Sequence, residues 1–196
     1  MKTFLLILFL ATSVIYAACS NNSNSKESSV NNNNTASKAT NTTANEPKNA
    51  ATTNDIVSSY LKLKNALTND NAKDAASAAN EITETIAKVD EALLTPEQKK
   101  IYDDAKDDIK EHSEHIGSNG SNIEHQREHF DLLSKDMIDL VKVSGSSQTL
   151  YRDFCPMYND KKGAFWLSET KEIKNPYYGK KMLKCGEVKE DIKPKG

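Results

Sequence analysis

Apolar residues recur at three- and four-residue spacing through the middle of this chain, and that period predicts helices. Ile56, Tyr60, Leu63 and Leu67 form a first stripe, with Asn54 or Asp55 placed to cap its start. Ala72, Ala75, Ala76, Ala79, Ile82, Ile86 and Val89 form a second, whose small first half lets a neighbour approach closely. Thr95-Pro96-Glu97-Gln98 reads as a helix start, with a capping-box threonine and proline at the first helical position. The third stripe then runs Ile101, Ala105, Ile109, His112 and Ile116. Gly117-Ser118-Asn119-Gly120 breaks the chain. Ser121 with Glu124 reads as a second capping box, opening a fourth helix through Ile123, Phe130, Leu133, Met137, Leu140 and Val141. Gly145 stops it. Four helices with short connections predict an antiparallel up-and-down four-helix bundle.

The texture changes after Gly145. Gln148 to Tyr151, Ala164 to Leu167 and Lys181 to Leu183 are short, apolar or aromatic, and separated by Pro and Gly, so they predict a small C-terminal cap of strands and loops. The fold class expected is therefore mainly α: a four-helix bundle with a small β/loop cap over residues 54–190, followed by a tail at 191–196.

The N-terminus carries a different signal. Met1-Lys2 is positive and Phe4 to Ile15 is an almost unbroken apolar run of about 12 residues, too short for a span of about 20. Small residues Ala17-Ala18 precede Cys19, so residues 1–18 read as a signal peptide of the bacterial lipoprotein type, with Cys19 as the lipid-attachment residue. Plain secretion with Cys19 incidental is the alternative. Residues 19–53 are Ser, Asn, Thr, Ala and Lys-rich and too polar to offset their ordering entropy, which predicts a disordered tether. The expected location is the envelope of a Gram-negative bacterium, facing the periplasm or on the outer membrane, held to the membrane through the lipid alone. The formal charge of −2 moves to about −3 on processing, and no basic patch argues for nucleic acid.

Two residue groups carry candidate chemistry. All four histidines lie between His112 and His129. His112 and His115 end the third helix, while His125 and His129 stand one turn apart at the start of the fourth, so a short turn gathers them at one end of the hairpin. His115, His125 and His129 are candidate metal ligands. His112 lies on the apolar stripe and reads as a core histidine. In the cap, Cys155-Pro156-Met157 is mirrored by Met182-Leu183-Lys184-Cys185, and thiolate plus thioether is the ligand set that Cu(I) selects. A joint site would require the cap to fold back along the fourth helix. No Cys-x-x-Cys, nucleophile elbow or His-Glu-x-x-His motif is present, so no catalytic residue is expected.

The run Ile123-Glu124-His125-Gln126-Arg127-Glu128-His129-Phe130, with Leu133-Ser134, Cys155-Pro156-Met157, Trp166-Leu167-Ser168, Asn175-Pro176-Tyr177-Tyr178-Gly179 and Met182-Leu183-Lys184-Cys185-Gly186, resembles a bacterial domain of unknown function. That domain occurs alone in exported proteins and appended to periplasmic adaptor subunits of copper and heavy-metal efflux pumps. The resemblance spans roughly residues 55 to 190 and implies a metal-handling role. Cys155, Met157, Met182 and Cys185 match its sulfur positions, and His125 and His129 match histidines of its close relatives.

Two readings follow. The first is a lipid-anchored envelope protein that binds a metal ion, Cu(I) in the first place, and buffers it or delivers it to an efflux system, with efflux adaptors as partners. The second is a non-catalytic interaction module stapled by a Cys155–Cys185 disulfide, with Trp166, Tyr177 and Tyr178 as exposed contact residues.

Overall fold

A computed structural model describes residues 48–195, with side chains from Thr53 onward. The signal segment, Cys19 and the tether up to residue 47 lie outside the described residues. Four long helices, α1 (Lys48–Thr68), α2 (Ala72–Ile86), α3 (Pro96–Ser118) and α4 (Ile123–Ser144), precede three strands, β1 (Leu150–Cys155), β2 (Ala164–Ser168) and β3 (Glu187–Ile192). The molecule is thus mainly helical with a small antiparallel sheet at its C-terminal end. Among the described residues no helix is long and apolar enough to cross a membrane.

The expected stripes bury as their spacing requires. Ile56, Tyr60, Leu63 and Leu67 of α1 are all fully buried, as are Ala75, Ala79 and Ile82 of α2. Each helix packs on the next, and α1 also meets α4. The start of α3 is the expected capping box: Gln98 N–H donates to Thr95 Oγ1 at 3.3 Å, and the Thr95 amide donates to Gln98 Oε1 at 3.0 Å. The starts of the first and last helices differ from expectation, whereas α4 ends at Gly145 as its sequence predicts. Helix α1 begins at Lys48, inside the segment read as tether, and Asn54 accepts instead from the Ser147 amide at 2.8 Å. Helix α4 is capped by Asn122, whose side chain accepts from His125 N–H at 3.2 Å, and not by Ser121. Asn and Ser cap about equally well, so the neighbouring turn, in which the Asn122 amide donates to Asn119 O, decides between them.

The stripe on α3 also changes phase. Tyr102, Ala105, Ile109, Ser113 and Ile116 are buried, whereas Ile101 and His112 are half-buried. A serine takes the core position and His112 turns outward. This difference matters for the site.

The sheet has the order β2-β1-β3 and is antiparallel throughout. Strand β3 was unexpected, and Lys181–Leu183, expected as a strand, lies in and beside a single 3-10 turn at Gly179–Met182. The Glu187–Ile192 segment alternates exposed and half-buried residues, the pattern of an edge strand that borrows its order from β1. The cap folds back onto the helices. Trp166 is fully buried, and the Leu167 amide donates to Tyr60 Oη at 3.1 Å, which itself bonds Ser134 Oγ at 2.7 Å. The ring of Tyr177 sits 5.6 Å from Phe130 and 4.4 Å from Tyr158. Arg127 locks the junction: its guanidinium donates to Pro176 O at 2.8 Å, Leu67 O at 2.9 Å and Asp70 Oδ1 at 2.7 Å.

Candidate metal centre

The turn between α3 and α4 is tight, so residues equidistant from it face each other across the two helices. His115 is thereby opposed to His125, and His112 to His129. His125 and His129 stand one helical turn apart, and Arg127 lies roughly opposite to both at about 100° per residue. One side of α4 therefore clasps the cap while the other presents imidazoles to α3.

All four rings meet. The planes of His115 and His129 stack at 4.3 Å between centroids and 3° from parallel. His125 stands edge-on to His129 at 4.7 Å and to His115 at 6.3 Å, and His112 lies 5.4 Å from His129. One ligand atom each from His115, His125 and His129 falls within 4.8 Å of the others. No cysteine or carboxylate joins that group among the described residues.

The electrostatics favour the unprotonated, metal-ready form at the centre. Burial holds the pKa of His129 below the ordinary histidine value, and the charges on His115, His125 and His112 push it the same way. Burial also lowers His112. At the rim, Glu128 Oε2 lies 3.0 Å from His125 Nδ1 and Glu111 Oε1 lies 3.9 Å from His115 Nε2. The Glu128 carboxylate on His125 Nδ1 leaves Nε2 of that ring free to bind an ion, which is the usual outer arrangement of a metal-bound histidine.

The sulfur residues form a second place in the fold. Cys155 ends β1 fully buried, Cys185 is half-buried, and both are free thiols with Sγ atoms 3.6 Å apart. With metal–sulfur bonds of about 2.3 Å, that separation corresponds to a bent S–metal–S angle of roughly 105° rather than a linear one. A bent pair leaves room for further ligands. Met157 is exposed at the rim, its carbonyl accepting from Tyr178 Oη at 2.9 Å, and Met182 is half-buried one turn before Cys185, whose amide donates to the Met182 carbonyl at 2.9 Å. Burial, with the neighbouring Cys155 thiol, raises the pKa of Cys185. Metal must displace that proton, so binding here strengthens as pH rises. Gly186 shapes the corner: its φ of 143° and the 2.9 Å a Cβ would leave to Phe154 O and the Trp166 ring exclude a side chain.

The contact residues imagined for an interaction module are mostly not available. Trp166 is fully buried and Tyr177 is 2% exposed, because both fill the seam between cap and helices. Tyr178 is half-buried and lines a surface groove of about 290 Å³ with Tyr158, Tyr177, Arg127 and Lys181. The residue that sequence reasoning misplaced is His112. A signal for it existed in the His112/His115 and His125/His129 spacings, which pair across an antiparallel hairpin.

No curated protein and no solved structure matches the chain. Residues 56–149 match the model of a family described as a protein of unknown function (DUF3347), a span that starts in α1, holds all four histidines and ends before β1 and the cysteines of the cap.

Proposed function

We propose that this chain is a lipid-anchored, non-catalytic metal-binding protein of a Gram-negative envelope, which buffers ions or delivers them to an efflux or resistance system. The four helices are read as an antiparallel bundle that holds one ligand group along its α3–α4 hairpin, with the cap holding another. The observation that carries the reading is the convergence of His115, His125 and His129, with ligand atoms within 4.8 Å of one another in a chain that has only four histidines. Surface histidines with no shared task have no reason to collect on facing turns of two helices.

Cu(I) is the ion proposed for the sulfur residues. Cys155 and Cys185 supply two thiolates at a bent angle, and Met157 and Met182 supply soft thioethers that harder cations do not select. Such a shell has no open position for water, which suits storage and handover. The test is a competition titration of the reduced protein with a Cu(I) chelator. Binding that is lost in Cys155→Ser with Cys185→Ser supports the assignment; unchanged affinity in that pair sinks it.

The second reading, a module stapled by a Cys155–Cys185 disulfide, is favoured by one specific observation: the thiols already face each other at 3.6 Å. The two readings are compatible in sequence, with metal held by the reduced pair and released when it is oxidised. Thiol counting on freshly isolated protein separates them.

A further inference from the structure

The four imidazoles are not equivalent. His129 contacts each of the other three, and its Nδ1 lies 3.3 Å from Nδ1 of His112. With metal–nitrogen bonds of about 2.0–2.1 Å, adjacent nitrogens of a tetrahedral shell are about 3.3–3.4 Å apart. His112 and His129 therefore already stand at the edge length of such a shell. The ligand atoms of His115, His125 and His129 lie within 4.8 Å of one another, a group that His112 does not join as the rings stand. His115 is exposed and His125 half-buried, however, so both rings are free to turn inward on their side-chain torsions. A shell of four imidazoles needs the outer pair to close on the inner one.

We infer that His112 is a fourth ligand, so that the hairpin binds one borderline divalent cation of the Zn²⁺ class in a closed tetrahedral shell of four imidazoles, independent of Cys155 and Cys185. This rests on the metal-binding reading of the histidine cluster and specifies its ligand count and ion class. Imidazole suits Zn²⁺, Cu²⁺ and Ni²⁺, whereas thiolate and thioether select Cu(I), so the two ligand groups divide ions by softness. Four neutral imidazoles leave the ion's double positive charge uncompensated. Glu128 and Glu111, beside His125 and His115, supply the opposing charge from the rim. Each helix contributes two ligands, at i and i+3 on α3 and at i and i+4 on α4, so the bound ion ties the two helices together at their shared turn.

The experiment uses the full chain carrying Cys19→Ser, Cys155→Ser and Cys185→Ser, which removes all three thiols, and Co²⁺ as a spectroscopic stand-in for Zn²⁺. The expected result is one Co²⁺ per chain with the intense visible bands of a tetrahedral complex, bleached by Zn²⁺. Adding His112→Gln is expected to weaken Zn²⁺ binding at least about tenfold and to reduce the band intensity. Unchanged affinity and spectrum in His112→Gln overturn the fourth ligand while leaving metal binding by the other three intact. Failure of the parent protein to bind either ion overturns the cluster reading as well. X-ray absorption at the zinc edge on the same parent protein needs no histidine variant: four imidazole shells support the inference, and three with a water oxygen overturn it.

Discussion

Oxidising Cys155 and Cys185 to a disulfide is the perturbation with the clearest magnitude. The bond would close a loop of about 31 residues, and the lost freedom of the unfolded chain is then about 3.7 kcal/mol on the chain-entropy account. The native state opposes part of this. The thiols must move from 3.6 Å to a bond of about 2.05 Å, and Gly186, wedged against Phe154 O and Trp166, leaves the backbone beside Cys185 little room. A net gain of about 2–3 kcal/mol is expected, which for a domain of this size raises Tm by about 4–12 °C. Calorimetry of a Cys19→Ser chain, oxidised and then reduced, measures it, with thiol counts on both samples. Cys19→Ser leaves Cys155 and Cys185 as the only thiols, since the chain has three cysteines. Oxidised protein is also expected to lose any Cu(I) held by the thiols while keeping ions held by the histidines. Equal melting temperatures in the two states, or thiols that stay free under oxidant, would refute the geometry.

Three further outcomes follow from packing and charge. Asp153 is fully buried with neither carboxylate oxygen hydrogen-bonded, and burial, against the pull of Lys64, pushes its pKa up to about 7. The folded chain then binds the extra proton between about pH 4 and 7, so this group's contribution to stability falls as pH rises through that window, by at most about 4 kcal/mol. Asp153→Asn is expected to flatten the stability–pH curve there and to be the more stable protein at pH 8; parallel curves in urea titrations would count against it. Phe130→Ala removes a fully buried ring stacked on Tyr60 at 5.3 Å and touching Tyr177, and is expected to cost about 3–5 kcal/mol, with Trp166 fluorescence reporting a loosened cap. Arg127→Ala breaks three hydrogen bonds that join α1, α4 and the cap and takes the donor from the buried Pro176 carbonyl, while Leu67 O keeps the Asp70 amide at 3.2 Å, a loss of about 2–3 kcal/mol by chemical denaturation.

Much of the helical part was legible because its signals are local. The stripe of Ile56, Tyr60, Leu63 and Leu67 and the Thr95/Gln98 capping box depend on neighbours within a turn, and each appears where its spacing puts it. The errors fall where tertiary contacts decide. Strand β3 is written in charged residues and exists because β1 offers an unpaired edge, so no alternation of apolar residues announces it. On α3, positions 112 and 113 lie three and four residues after Ile109, so helical spacing alone admits either to the buried face. The structure buries the smaller Ser113 and turns His112 toward His129. That one-residue phase shift changes His112 from core filler into a candidate ligand. The proximity of the two cysteines comes from the pairing of β1 with β3, where Phe154 stands opposite Glu187, and the seat of the cap on the helices rests on Arg127, Phe130 and Tyr177, residues whose partners lie far away in sequence.

The most direct measurement is the metal content of the purified, reduced chain after equilibrium dialysis against Zn²⁺ or, anaerobically, Cu(I), counted by elemental analysis alongside a variant carrying His115→Ala, His125→Ala and His129→Ala. The account predicts Zn²⁺ retained at one ion per chain by the parent and lost in the variant, with Cu(I) retained by both. A parent chain that emerges from dialysis holding neither ion would contradict it.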